Sequence, residues 1–261
     1  MKRITIYLLS AAVLLIMAGC GGKRDQSLEK IMDSGELRLG LDENYPPMGF
    51  RDEGENLVGF DIDLAGEVCD RIGVKLTLVP IEWDKKEDEL NSGHIDCIWN
   101  GMSITPERSE NMLLSEPYLE NDLVFAVRTY SDIQKISDLK GKTVGAQAGS
   151  SADDAIRESE IYNDINVVFQ KDNLSLLRQL KAGELDAVLI DSVSIYYIAA
   201  DNEDYVLISG TLGREDMAIG FRKNDKELRD KIQEKLSEMK SDGTLAEISE
   251  KWFGSDITTI R

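Results

Sequence analysis

Two stretches of this chain repeat one pattern: "LNSGHIDCIWNG", starting at Leu90, and "LKAGELDAVLID", starting at Leu180. Leu90 and Leu180, Gly93 and Gly183, and Asp96 and Asp186 coincide at a spacing of 90 residues. In each copy a helical run stops at glycine, turns, and enters an apolar run. Glycine ends helices because it takes the left-handed conformation without a Cβ penalty. A short apolar run bounded by turn residues reads as a buried strand. A chain that uses one helix-turn-strand unit twice at this spacing is expected to build two similar α/β lobes.

The rest of the chain follows the same alternation. "ELRLGL" (36–41) reads as a strand and "DIDLAGEVCDRIG" (61–73) as a helix, with Ile62, Ala65, Val68, Cys69 and Ile72 at helical spacing. "KLTLVP" (75–80) is a strand, a polar helix lies near 84–92, and "IDCIWN" (95–100) is a strand. After a crossing segment, "DLVFAVR" (122–128), the rhythm restarts: strand 142–147, helix "SADDAIRES", strand "INVVFQ", helix 173–183, strand 185–191. "MAIGFRKN" reads as a return strand and 225–240 as a closing helix. Such alternation predicts an α/β fold of two lobes, each a mainly parallel sheet flanked by helices. Lobe one is expected over 35–120 plus 219–261 and lobe two over 121–218, with hinge crossings near 119–124 and 213–219. Two lobes on paired crossings enclose a cleft that opens and closes, and ligands of open α/β sheets sit beyond the carboxyl ends of the strands.

The N-terminus is read separately. Lys2 and Arg3 precede a nearly continuous apolar run to Ala18, then Gly19 and Cys20. That order is a secretory signal peptide over 1–19, with an apolar run too short to span comfortably. Small residues before Cys20 resemble a bacterial lipobox, which implies lipidation of Cys20, a membrane anchor, and a polar tether over 20–34. Met17 stands where leucine is commoner. The folded part is then expected outside the cytoplasm. Cleavage would take Lys2 and Arg3 and no acid, moving the net charge from −19 to −21. Such a surface repels nucleic acid and anionic membrane. Cys69 and Cys97 sit in apolar contexts and read as buried thiols. The one histidine, His94, lies in a polar turn, and no cluster has metal-ligand spacing. No Gly-rich phosphate loop with its lysine is present, so neither nucleotide nor other cofactor is expected.

The strand ends gather polar and aromatic residues. Asp42 and Tyr45 follow the first strand, and Trp83 follows the strand ending at Pro80. Asn100, Gly101, Ser103 and Arg108 follow "IDCIW". Gln147, Ser150, Ser151 and Asp191 come from the second half. Each has a plainer reading: a surface charge for Arg108, a Ser N-cap at the 149–151 turn, a helix cap for Asp191, packing aromatics for Tyr45 and Trp83. Together they suit a zwitterion. A guanidinium grips a carboxylate bidentately, a helix N-terminus offers N–H groups to an anion, and a carboxylate suits an ammonium.

"GFDIDLAGEVCDRIG", "GMSITPER", "SEPYLEND", "DLKGKTVGAQAGSS", "LKAGELDAVLIDS" and "SDGTLAEISEKWFG" resemble, in order over 35–254, the family 3 bacterial solute-binding proteins, receptors of polar amino acid ABC importers. The resemblance implies a class II periplasmic-binding-protein fold closing on a free L-amino acid, polar or basic. It also implies delivery to a separate permease and ATPase by a protein that is a monomer and not an enzyme. It assigns Arg108 and the Ser150–Ser151 N–H groups to the α-carboxylate. Asp191, Ser103 and the Gly101 carbonyl fall to the ligand backbone, Tyr45 and Trp83 to its stem, and Asp42 to its side chain. Serine at both turn positions, Gln147, and "IWNG" depart from the family pattern, so Trp99 and Asn100 are expected to reshape the pocket. A dehydratase-like enzyme on the same scaffold and a sensor for a receptor kinase are the alternatives. The first needs a general acid or base aimed into the cleft. The second is distinguished by whether permease and ATPase genes lie alongside.

Overall fold

Apolar runs covered on both faces become central parallel strands. In this chain β1 (Glu36–Leu41) is such a strand, paired parallel with β5 (Lys75–Pro80) on one side and β6 (Cys97–Ile98) on the other. The computed structural model describes residues 25–200 and 202–260. The leader, Cys20 and the first part of the expected tether lie outside the described residues. The last part of that tether is not a linker: Ser27–Ser34 form a helix, α1, whose Ile31 is buried in the first hydrophobic core.

The first sheet has the order β5-β1-β6-β13-β7, with β13 (Gly220–Phe221) antiparallel to β6 and to β7 (Leu113–Leu114). Helix α2 (Phe60–Ile72) packs Leu64, Ala65, Val68, Cys69 and Ile72 into its core and stops at Gly73. Cys69 and Cys97 are buried free thiols, and burial pushes the Cys69 thiol up to about 12. Helices α3 (Lys86–Ser92), α4 (Pro106–Asn111), α8 (Lys226–Asp242) and α9 (Thr244–Phe253) complete this lobe, with a three-stranded flap, β2 (Asn44–Tyr45), β3 (Gly49–Arg51) and β4 (Leu57–Val58).

The second sheet has the order β10-β9-β11-β8-β12. β9 (Thr143–Gln147) pairs parallel with β10 (Asn166–Gln170) and β11 (Ala187–Asp191), while β8 (Leu119–Arg128) runs antiparallel to β11 and β12 (Tyr205–Met217). Helices α5 (Ser151–Glu158), α6 (Asn173–Ala182) and α7 (Ser192–Ala200) cover it. In each sheet three neighbouring strands pair in parallel and a single strand runs against all the others, β13 in the first and β8 in the second. The crossings are neighbours in one ladder, with Leu119 opposite Met217 and Leu123 opposite Gly213. The predicted strand 95–100 shrinks to Cys97–Ile98, because the chain leaves the ladder at Trp99 to enter the cleft.

The 90-residue echo is visible atom by atom. Gly93 and Gly183 share φ +80° and close α3 and α6 by donating to Leu90 O and Leu180 O. Asp96 accepts from the Arg38 N–H at 3.0 Å, and Asp186 from the Thr143 N–H at 2.8 Å. Arg222 Nη1 donates to Leu90 O and Ile95 O at 2.9 and 2.7 Å, and Arg128 Nη1 to Leu180 O and Leu185 O at 2.8 and 2.7 Å. Each arginine fastens a helix end to the strand it feeds. Arg128→Met keeps the aliphatic stem but removes both charge-assisted bonds, and is expected to cost about 1–3 kcal/mol. Urea unfolding of the two proteins, compared by midpoint and slope, checks this.

Candidate ligand-binding cleft

The carboxyl ends of β1, β6, β9 and β11 point at one cavity of about 290 Å³. Its walls are Asp42, Tyr45, Trp83, Asn100, Gly101, Ser103, Arg108, Gln147, Ser150, Ser151 and Asp191. The structure thus brings together the eleven residues proposed for the cleft from the strand ends, from both halves of the chain.

One end is cationic. Thr105 caps α4, its Oγ1 accepting from the Arg108 N–H at 3.2 Å, and Pro106 opens the helix. This places the Arg108 side chain inside the cleft, 4% exposed. Arg108 Nη1 donates to Ser103 O at 2.8 Å and Nη2 reaches Gly149 O of the facing lobe at 3.3 Å. Lys86 Nζ donates to the same Gly149 oxygen at 2.8 Å. Burial, with Arg108 beside it, pulls the Lys86 ammonium down to about 8. Gly149 is the close approach: at φ +68° a Cβ would lie 2.9 Å from the Asp84 Cα. Next to it α5 begins, and the Ser150 hydroxyl accepts from the Asp153 N–H at 3.2 Å. The N-cap reading of Ser150 therefore holds beside its place in the cavity wall. Two cations and a helix N-terminus make this end suited to an anion.

The opposite end is anionic. Asp191 accepts from Asn121 Nδ2 at 2.6 Å. Asn121 Oδ1 in turn accepts from the Ser192 hydroxyl at 3.2 Å, so the start of α7 is tied to Asn121. Burial, and then the Glu215 carboxylate, push the Asp191 carboxyl up to about 7. The Tyr45 hydroxyl, facing Asp191, is buried without a hydrogen-bond partner among the described residues, as is Asn100 Nδ2. Gly101 is required beneath them, since at φ +55° a Cβ would sit 2.8 Å from Tyr45 Cε1.

Along the side, Asp42 accepts from Gln147 Nε2 across the cleft at 2.7 Å, and its N–H donates to Asn100 Oδ1 at 2.9 Å. Burial pushes the Asp42 carboxyl up to about 6. Beyond Asp42 and Trp83 a second cavity opens, lined by Glu43, Glu82, Asp172 and Lys171. Trp99 does not reshape this space: it is fully buried in the lobe-one core against Tyr118. His94 is exposed in its turn, at the opposite ends of the strands, with Nδ1 2.5 Å from Glu89. Among the described residues no acidic, His or Cys cluster could hold a metal ion.

The sequence reading missed Lys86, Asn121, Glu215 and Asp61. Asp61 lay inside the quoted "GFDIDLA" stretch without a role. It is fully buried, and accepts from the Gly101 N–H at 2.7 Å and the Tyr118 hydroxyl at 3.0 Å, fixing the peptide that lines the cavity. Burial pushes its carboxyl up to about 7. A carboxyl raised in the folded state contributes stability below its unfolded value, near 4, and that contribution is lost as pH rises through 7. Asp61→Asn keeps an acceptor and carries no charge. Its stability relative to wild type is therefore expected to improve from pH 5 to about pH 7 and then level off up to pH 8.5, as read by urea unfolding at each pH.

Residues 37–255 match the family described as bacterial extracellular solute-binding proteins, family 3. The L-cystine-binding protein TcyJ of Escherichia coli strain K12 is 30% identical over 234 residues, covering 88% of this chain and 87% of that protein. Tv2483, solved bound to L-arginine, superposes with a TM-score of 0.88 at 31% identity, over 91% of this chain and 98% of that one. An ABC uptake transporter substrate-binding protein from Streptococcus pneumoniae, solved with bound histidine, gives 0.86 at 38% identity over 90% and 98%. With two lobes of class II topology, paired crossings and a family match over most of its length, the chain belongs to the family 3 bacterial extracellular solute-binding proteins.

Proposed function

We propose that this protein captures a free L-amino acid in the interlobe cleft and hands it to the membrane permease of an ABC importer. The observation that carries the reading is the polarity of the cavity: Arg108 and the α5 N-terminus, with Lys86 behind them on the Gly149 carbonyl, on one side, and Asp191 on the other. An α-carboxylate takes the first end, where Arg108 and the Ser150 and Ser151 N–H groups meet it. An α-ammonium takes the second, with Asp191 and the Gly101 carbonyl as acceptors. Tyr45 and Trp83 flank the stem. Asp42 and the acidic space beyond it, with Glu43, Glu82 and Asp172 against Lys171, favour a polar or basic side chain.

The lobes, 35–120 with 219–261 and 121–218, move as two bodies about β8 and β12. A ligand shifts them toward closure only through contacts made in the closed form, and Gln147, Ser150, Ser151 and Asp191 supply those from lobe two. The protein acts as a receptor rather than an enzyme, and as a monomer. A lipidated Cys20 holds it at the outer face of the membrane.

Loss of the Arg108 charge-assisted pair should weaken binding by about 2–4 kcal/mol, near a hundredfold. A thermal-shift screen of the amino acids with cystine and ornithine identifies the ligand, and calorimetry on Arg108→Ala reads the loss. Unchanged affinity removes the assignment. Cys20→Ser should move the expressed protein from the membrane fraction to the soluble extracytoplasmic fraction and abolish incorporation of labelled palmitate.

A further inference from the structure

The second crossing carries a buried-facing carboxylate that the amino-acid reading does not use. Glu215 lies on β12 opposite Asn121 of β8. Its Oε2 accepts from Ser103 Oγ of lobe one at 2.8 Å, from Ser151 Oγ of lobe two at 3.0 Å, and from Asn121 Nδ2 at 3.4 Å. We infer that Glu215 is a specificity-determining positioning residue, which turns the Ser103 and Ser151 hydroxyls into acceptors and, with Asp191, reserves this end of the cleft for an ammonium. The inference rests on the receptor reading above.

A serine hydroxyl has one proton and two lone pairs. An ionised carboxylate donates nothing, so Ser103 spends its proton on Glu215. Ser151 has Glu215 at 3.0 Å and Ser103 Oγ at 3.1 Å for its own proton. What both oxygens turn to the cavity is lone pair, which accepts from a cation, while the carboxylate end is met by the Ser150 and Ser151 N–H groups and not by these hydroxyls. Asn121 Nδ2 also donates to Asp191 Oδ1 at 2.6 Å. Because Glu215 Oε2 and Asp191 Oδ1 share that nitrogen, at 3.4 and 2.6 Å, they lie no farther apart than the sum, 6.0 Å. Two carboxylates this close disfavour joint ionisation until a cation joins them. The groups facing Asp191 are the Tyr45 hydroxyl from β2, Asn121 from β8 and Glu215 from β12, with the Arg108 charge from α4 farther off. Glu215 is the one among them that opposes its ionisation. Binding an α-ammonium therefore expels a proton from Asp191, and affinity rises as pH rises through 7.

The test uses calorimetry on wild type, Glu215→Gln and Glu215→Ala, with each of the twenty standard L-amino acids and L-cystine, between pH 5.5 and 8.5. Glutamine keeps an oxygen for the serine protons but removes the charge; alanine removes both. Expected are a wild-type affinity that climbs across this range, and for Glu215→Gln a loss of about tenfold at pH 7.5 with a flattened climb. Glu215→Ala should lose more. A purely structural role would shift thermal midpoints and leave the pH profile intact. Wild type and both variants binding alike with the same profile overturns the inference and leaves the receptor reading standing. Wild type binding none of the panel overturns the reading, and the inference with it.

Discussion

The carbonyl oxygen of Gly149 is held by two cations of the facing lobe, Lys86 and Arg108. That contact governs the rest of the cleft. It needs a glycine, because the backbone of Asp84 leaves no room for a side chain. It brings two positive charges together out of water, which lowers Lys86, and it sets the N-terminus of α5 beside them. Positive charge held out of water is costly in a low-dielectric site, and the acids that act on Arg108, Asp154 and Glu215 first among them, offset only part of its desolvation. Asp191 at the far end carries a burial cost of the opposite sign. Charge separation across a small cavity, rather than any one residue, is what selects a dipolar solute.

The lobes are joined where that separation is sensed. Asn121 and Glu215 sit on the two crossing strands, and their partners Ser103, Ser151 and Asp191 belong to opposite sides of the cleft. A change in the angle between lobes must alter these distances first. Aromatic contacts reinforce closure at the edge, where Phe50 and Trp252 of the first lobe meet Tyr197 of the second at 5.9 and 6.3 Å between ring centres.

Much of this was legible in the sequence, for physical reasons. Periodicity located the strands and helices because apolar burial imposes it, and the glycine stops at 73, 93 and 183 fell where left-handed caps are needed. The residues lining the cavity could be named because they follow strand ends. The expected strand 95–100 is longer than Cys97–Ile98 because Trp99 is apolar, buried and still donates to Gly40 O at 3.3 Å, although residue pairing with β1 ends at Ile98. The tether reading runs through α1 because its apolar residues, Leu28, Ile31 and Met32, fill too short a stretch to read as a stripe, and Ile31 is the one of them buried in the core. Asn121, Glu215 and Lys86 escaped notice because their significance lies in partners 63 to 112 residues away, across a cleft that no local pattern encodes. Asp61 escaped because a carboxylate at the start of a helix looks like an ordinary dipole partner until Gly101 is seen against it.

The paired arginines carry a consequence for how the molecule flexes. Arg128 stands at the far end of the first crossing and Arg222 just past the second, and each is riveted to the main chain of the lobe it enters. Between these two anchor points the lobes are linked by a short double-stranded ribbon, Leu119–Leu123 against Gly213–Met217, so a bend placed there turns one lobe against the other without disturbing either helix-to-strand anchor.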